Sequence, residues 1–163
     1  MNQKKHLRTC LAAMLLWLFA LGCQTKDYNT LTENHKALQT YRQGIWGVRY
    51  IQNEENGTGE DLKDTTTKIS INVMGELAEE DMLDIMDYYE LTRNASFDKN
   101  SRYLGERSTD YTCYATFFQG ETDEEICRIK YKNGQKEEPT QEEDGLFPFA
   151  GWRSSKEEIG EMP

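Results

Sequence analysis

The sequence predicts a mainly β domain, an antiparallel sheet preceded by a short N-terminal helix; an α+β arrangement around an antiparallel sheet is the alternative. Three observations carry this. In residues 65–74, Ile69, Ile71 and Val73 alternate with Lys68, Ser70 and Asn72. In residues 110–118, Tyr111, Cys113, Ala115 and Phe117 alternate with Thr112, Tyr114, Thr116 and Phe118. A period of two belongs to extended chain whose two faces meet different surroundings. Ahead of these strands, residues 31–42 have helical character: Leu38 and Tyr41 share a face, Thr32 is placed to cap and Gly44 to terminate.

The remaining elements follow in order. Residues 45–52 read as a strand with Trp46, Val48 and Tyr50 on one face and Gly47 and Arg49 on the other. Residues 54–64 are polar and carry Asn56-Gly57 and Gly59, so they form a loop. The strict alternation of 65–74 implies a sheet that is wet on one side. Residues 76–91 read as a helix, because Met82, Ile85, Met86 and Tyr89 fit helical spacing behind an acidic start. Residues 88–92 offer a competing strand start. Residues 97–106 are weakly patterned. Residues 126–131 form a strand that pairs with 110–118 as a hairpin, and Asn133-Gly134 ends it. This places the β domain at residues 23–134. Residues 135–163 form an acidic, partly disordered tail. Its apolar island, residues 146–152, is expected to dock on the domain and cover a sheet edge; a partner-binding peptide is the sharper alternative.

The start of the chain predicts export. Lys4, Lys5 and Arg8 precede the apolar residues 11–21, and Ala20-Leu21-Gly22 supplies small residues at a cleavage junction. The apolar run is shorter than the ~20 residues of a membrane span, so residues 1–22 read as a removable signal. Without those three cations the chain keeps 16 basic against 29 acidic residues, a formal charge of −13. Such a surface repels nucleic acid and anionic lipid heads. A soluble monomer with no membrane span is expected, secreted or, if lipidated, held at a bacterial envelope.

Cys23, Cys113 and Cys127 remain after the signal, an odd number for an exported protein. Cys113 and Cys127 have an index sum that centres a hairpin turn on Gly120, so a cross-strand disulfide between them is feasible. The alternatives are a bridge elsewhere or a buried, reduced thiol. Cys23 is then either lost by cleavage ahead of Gln24 or lipidated. Ala20-Leu21-Gly22-Cys23 resembles the box of bacterial lipoproteins, with Ala20 where leucine is usual and Leu21 where a small residue is usual. Asn56-Gly57-Thr58 and Asn94-Ala95-Ser96 have the form of glycosylation acceptors.

No catalytic constellation is legible. His35 is the histidine left after the signal, in a polar stretch without a nearby nucleophile. No zinc-type ligand set and no phosphate-binding glycine loop occur. No enzyme activity, metal or cofactor is expected.

The run Lys36-Ala37-Leu38 followed by Gly44-Ile45-Trp46-Gly47-Val48-Arg49-Tyr50 resembles the opening of a lipocalin, and more particularly of tick salivary lipocalins, including histamine-binding proteins. The match covers about residues 33–52. The resemblance implies a barrel, complete or shortened, with Gly44 and Trp46 as the motif at its closed end. It also implies a secreted protein that sequesters a small host mediator in the barrel, a biogenic amine such as histamine or serotonin, or a lipid. The rival expectation is a lipoprotein tethered through Cys23 that works as a binding or assembly module.

Overall fold

The computed structural model describes residues 27–149. Residues 1–22, read above as a signal, Cys23 and residues 150–152 of the apolar island lie outside them. Two short helices, α1 (Tyr28–Glu33) and α2 (Lys36–Arg42), lead into strand β1 (Trp46–Asn56). Strand β2 (Asp64–Val73), helix α3 (Glu79–Arg93), the short strands β3 (Ala95–Phe97) and β4 (Tyr103–Glu106), and strands β5 (Asp110–Gln119), β6 (Glu125–Lys132) and β7 (Gln135–Glu137) follow. A 3₁₀ helix, Gln141–Leu146, closes the described chain.

The main sheet has the order β1-β2-β5-β6-β7, and β3-β4 form a separate hairpin. All neighbours are antiparallel except β2 and β5, which run parallel. The crossover between those two strands carries α3 and the β3-β4 hairpin. The chain is therefore sheet-rich with a mixed sheet. Among the described residues β1 and β7 are open edges, and no barrel closes.

The odd-numbered residues of β2, β5 and β6 face the helices. Ile69, Ile71, Val73, Ala115, Phe117 and Ile129 join Met82, Ile85, Met86 and Tyr89 in one apolar core. Helix α3 forms where its spacing predicts: Glu79, Glu80 and Asp81 sit in its first turn and Arg93 in its last, each favourable to the helix dipole. The 88–92 segment lies inside this helix, and the extended piece begins only at Ala95. The single helix expected over 31–42 is two helices broken at Asn34-His35. Asp27 caps α1 through the Asn29 amide. The N-terminus of α2 is satisfied from outside, because Ala37 N–H donates to Asp84 Oδ2 of α3 at 2.6 Å.

Two expectations about faces change. Tyr50 does not share a face with Trp46 and Val48. Partners Val48↔Ile71 and Tyr50↔Ser70 leave Arg49 as an extra residue, a bulge that turns both Arg49 and Tyr50 to the far side of the sheet. That far side is not wet either. Ser70, Tyr114, Thr116 and Phe118 are buried on it, because the C-terminal segment lies across the sheet.

The acidic stretch after Asn133-Gly134 also differs from an unstructured tail. Asn133 and Gly134 both have positive φ, 48° and 81°, and turn the chain back into β7. The 3₁₀ helix then starts with a capping box between Thr140 and Glu143.

Candidate binding groove

Residues 138–149 form a strap over the far face of the sheet. Phe147 is its anchor, 1 % exposed. Its ring meets Tyr114 edge-on at 5.3 Å, with the Arg128 guanidinium 5.7 Å from its centroid. Thr116 Oγ1 donates to the Pro148 carbonyl at 3.1 Å. Glu143 is the polar clamp. It accepts from the Thr140 amide at 2.9 Å, from Lys130 Nζ at 3.0 Å and from Tyr114 Oη at 2.9 Å. These donors, the Thr140 amide first, hold its carboxyl down at about 2. The described part of the island, residues 146–149, lies on a sheet face and not over the expected edge. Phe149, its last described residue, stays 59 % exposed.

Beside the strap lies a groove of about 210 Å³. Tyr50 and Gln52 of β1 and Lys68 of β2 form one side; residues 145–149 form the other. The bulge at Arg49 brings Tyr50 here. Tyr50 Oη donates to Gln52 Oε1, and Lys68 Nζ pairs with Glu54 at 3.1 Å. The walls from Leu146 to Phe149 are apolar, and the polar end carries a lysine cation. Its volume is below the ~300–1,000 Å³ of drug-sized sites. It has room for a short acyl chain or one ring. The bulge residue itself is fixed: Arg49 lies 4.3 Å over the Phe118 ring, donates to Asn72 Oδ1 at 2.8 Å and pairs with Asp123 at 3.2 Å.

The residues singled out from sequence fall in other places. Gly44, with φ of 74°, ends α2, and Trp46 is buried at the head of β1. Trp46 Nε1 donates to the Ala37 carbonyl at 3.0 Å and Thr40 Oγ1 at 2.9 Å. With no barrel to close, this tryptophan ties α2 to the sheet. His35 lies beside Asp84, 3.3 Å away, and edge-on to Tyr88. Asn56 is exposed at the end of β1. Asn94 is not a surface acceptor: it is 2 % exposed, caps α3, and its Oδ1 accepts from the Ser108 amide and hydroxyl at 3.0 and 2.9 Å.

The disulfide expectation is corrected. β5 and β6 pair as Phe117↔Cys127 and Cys113↔Tyr131, so the turn centres on Thr122 and not on Gly120. The two cysteines stand four residues apart along the ladder, about 13 Å, and both are free. Cys113 is fully buried, and burial pushes its thiol up to about 12, which leaves it inert as a nucleophile. Cys127 is half-buried on the helix side of β6.

No helix among the described residues is long and apolar enough to cross a membrane. Among those residues no group of three or more His, Cys, Asp or Glu side chains converges as a metal site. Comparison with protein-family models, with curated proteins and with solved structures returns no match.

Proposed function

We propose that this chain is an exported, non-catalytic binding module that holds a small anionic amphiphile in the groove beside the strap. The observation that carries the reading is the shape of the sheet. It is open, the core fills one face and the strap covers the other, which leaves the ligand a surface groove in place of a barrel lumen. The apolar walls from Leu146 to Phe149 suit a short hydrocarbon or aromatic group, and Lys68 at the polar end suits a carboxylate. An amine ligand, which the lipocalin resemblance implies, has to compete with the Lys68 ammonium for Glu54, 3.1 Å away, whereas a carboxylate ligand takes the place of Glu54 on Lys68. The Gly22-Cys23 junction supports carriage as an envelope lipoprotein tethered through Cys23.

Octanoate tests the groove against histamine and serotonin. Calorimetry with amide shift mapping should give one saturable octanoate site, with shifts at Tyr50, Lys68 and Leu146. Lys68→Met should weaken it at least tenfold. Saturable amine binding with no octanoate binding would reverse the assignment of ligand charge. Shifts spread evenly over the surface would remove the site.

A further inference from the structure

A second recess, of about 170 Å³, lies on the helix side of the sheet between α3, β6 and β7. Its floor holds two sulfur atoms. The Cys127 Sγ–H of β6 donates to Met82 Sδ of α3 at 3.5 Å, with Glu79 and Lys136 beside them. Glu79 and Lys136 pair across the opening. The chemistry of this cluster is unlike that of the groove. A thiol and a thioether are soft donors, and soft donors select soft ions such as Cu(I) over Mg²⁺, Ca²⁺ or Mn²⁺.

We propose that Cys127 and Met82 form a binding site for a monovalent thiophilic ion, Cu(I) or its mimic Ag(I), with the Glu79 carboxylate within the same recess as a further donor. Geometry, access and charge support it. At a metal–sulfur distance of about 2.3 Å, two sulfurs in linear coordination stand about 4.6 Å apart. The observed 3.5 Å matches a bent arrangement that leaves room for a third donor. The flexible methionine side chain covers the difference between the two. Cys127 is half-buried and opens on the recess, whereas Cys113 on β5 has no surface exposed. The Arg128 guanidinium lies on the opposite face of the sheet over Phe147, so Glu79 and Lys136 cancel and a thiolate leaves the recess with one negative charge. A monovalent ion then neutralises it, and a divalent ion would leave an uncompensated positive charge, which selects against Zn²⁺. Binding replaces the thiol proton, so one proton is released per ion and no redox step is involved.

The test uses the full chain carrying Cys10→Ser and Cys23→Ser, so that Cys127 and the enclosed Cys113 are the remaining thiols. Ag(I), or Cu(I) in anaerobic competition with bicinchoninate, is titrated while the ¹³C-methyl signals of methionine are followed. The expected result is one ion per chain, a shift of the Met82 methyl with Met74 unmoved, and affinity that rises about tenfold per pH unit while the thiol is protonated. Cys127→Ser should abolish binding and Met82→Leu should weaken it at least tenfold; Met82→Leu keeps side-chain volume and so covers the case in which the serine variant fails to fold. Binding that survives Met82→Leu unchanged, or leaves the Met82 methyl unmoved, reduces the site to an ordinary thiol and overturns the proposal. So does equal competition by Zn²⁺. Octanoate binding at the groove is independent of every one of these outcomes.

Discussion

The two faces of the sheet are both covered, by different means. On the helix face the cover is apolar and continuous, and α3 presses Met82, Ile85, Met86 and Tyr89 onto the odd-numbered residues of β2, β5 and β6. On the far face the cover is a strap held by a few discrete contacts: Phe147 between Tyr114 and Arg128, Glu143 on Lys130, and one hydrogen bond from Thr116. The first kind of cover is lost only when the fold is lost. The second can leave while the sheet stays, because its anchors are few and lie near one end of the chain.

The largest expected effect lies on the helix face. Phe117 is fully buried at the centre of β5, and Phe117→Ala should cost about 3–5 kcal/mol in urea unfolding, shared by all probes in one transition. A cost near that of a surface change would mean that the helix layer does not bear the fold.

Phe147→Ala should cost less, about 1–3 kcal/mol, because the strap gives way locally. Limited proteolysis should then cut residues 138–146 faster while amide exchange in β2 and β5 keeps its protection. Loss of protection in β2 as well would erase the distinction between the faces.

The smallest effect is electrostatic. The Glu143 carboxyl is held at about 2 in the fold against an ordinary 4.5. A lowered pKa stabilises the strap above the ordinary value, and that contribution is lost as pH falls from 4.5 towards 2. Strap amides should progressively lose protection, measured against their intrinsic exchange rates, over that window at constant β5 protection. Glu143→Gln should start with the looser strap and lose most of the pH dependence. An unchanged profile in that variant would assign the effect to another carboxylate.

Legibility in the sequence followed burial. The alternation of 65–74 and 110–118 and the helical spacing of 82–89 were readable because each has one face in the same core. The bulge at Arg49 was not, since an inserted residue leaves the flanking apolar pattern intact while it turns Tyr50 over. The β5-β6 register was missed because the index-sum rule locates the turn only if its centre is known. Gly120, with φ of 55°, opens the connection and does not centre it. Asn94 shows the same limit for motifs: the acceptor triplet is satisfied in letters, yet the side chain is buried and its Oδ1 is taken up by the Ser108 amide and hydroxyl. The groove was invisible for a related reason. Tyr50, Lys68 and Leu146 meet through a bulge and a strap, and neither leaves a periodic signal.

The parallel pairing of β2 with β5 has a consequence for how the molecule comes together. β1-β2 and β5-β6-β7 are each joined by short connections, with partners such as Asn56↔Asp64 and Phe118↔Glu125 close in the chain. Across β2-β5 every partner is 46 residues away, so this seam carries the large loop-closure entropy. The chain is in that sense two local hairpin systems fastened along one line. Either half can form its own hairpins first, but the core, the strap face and its groove exist only after the seam has closed.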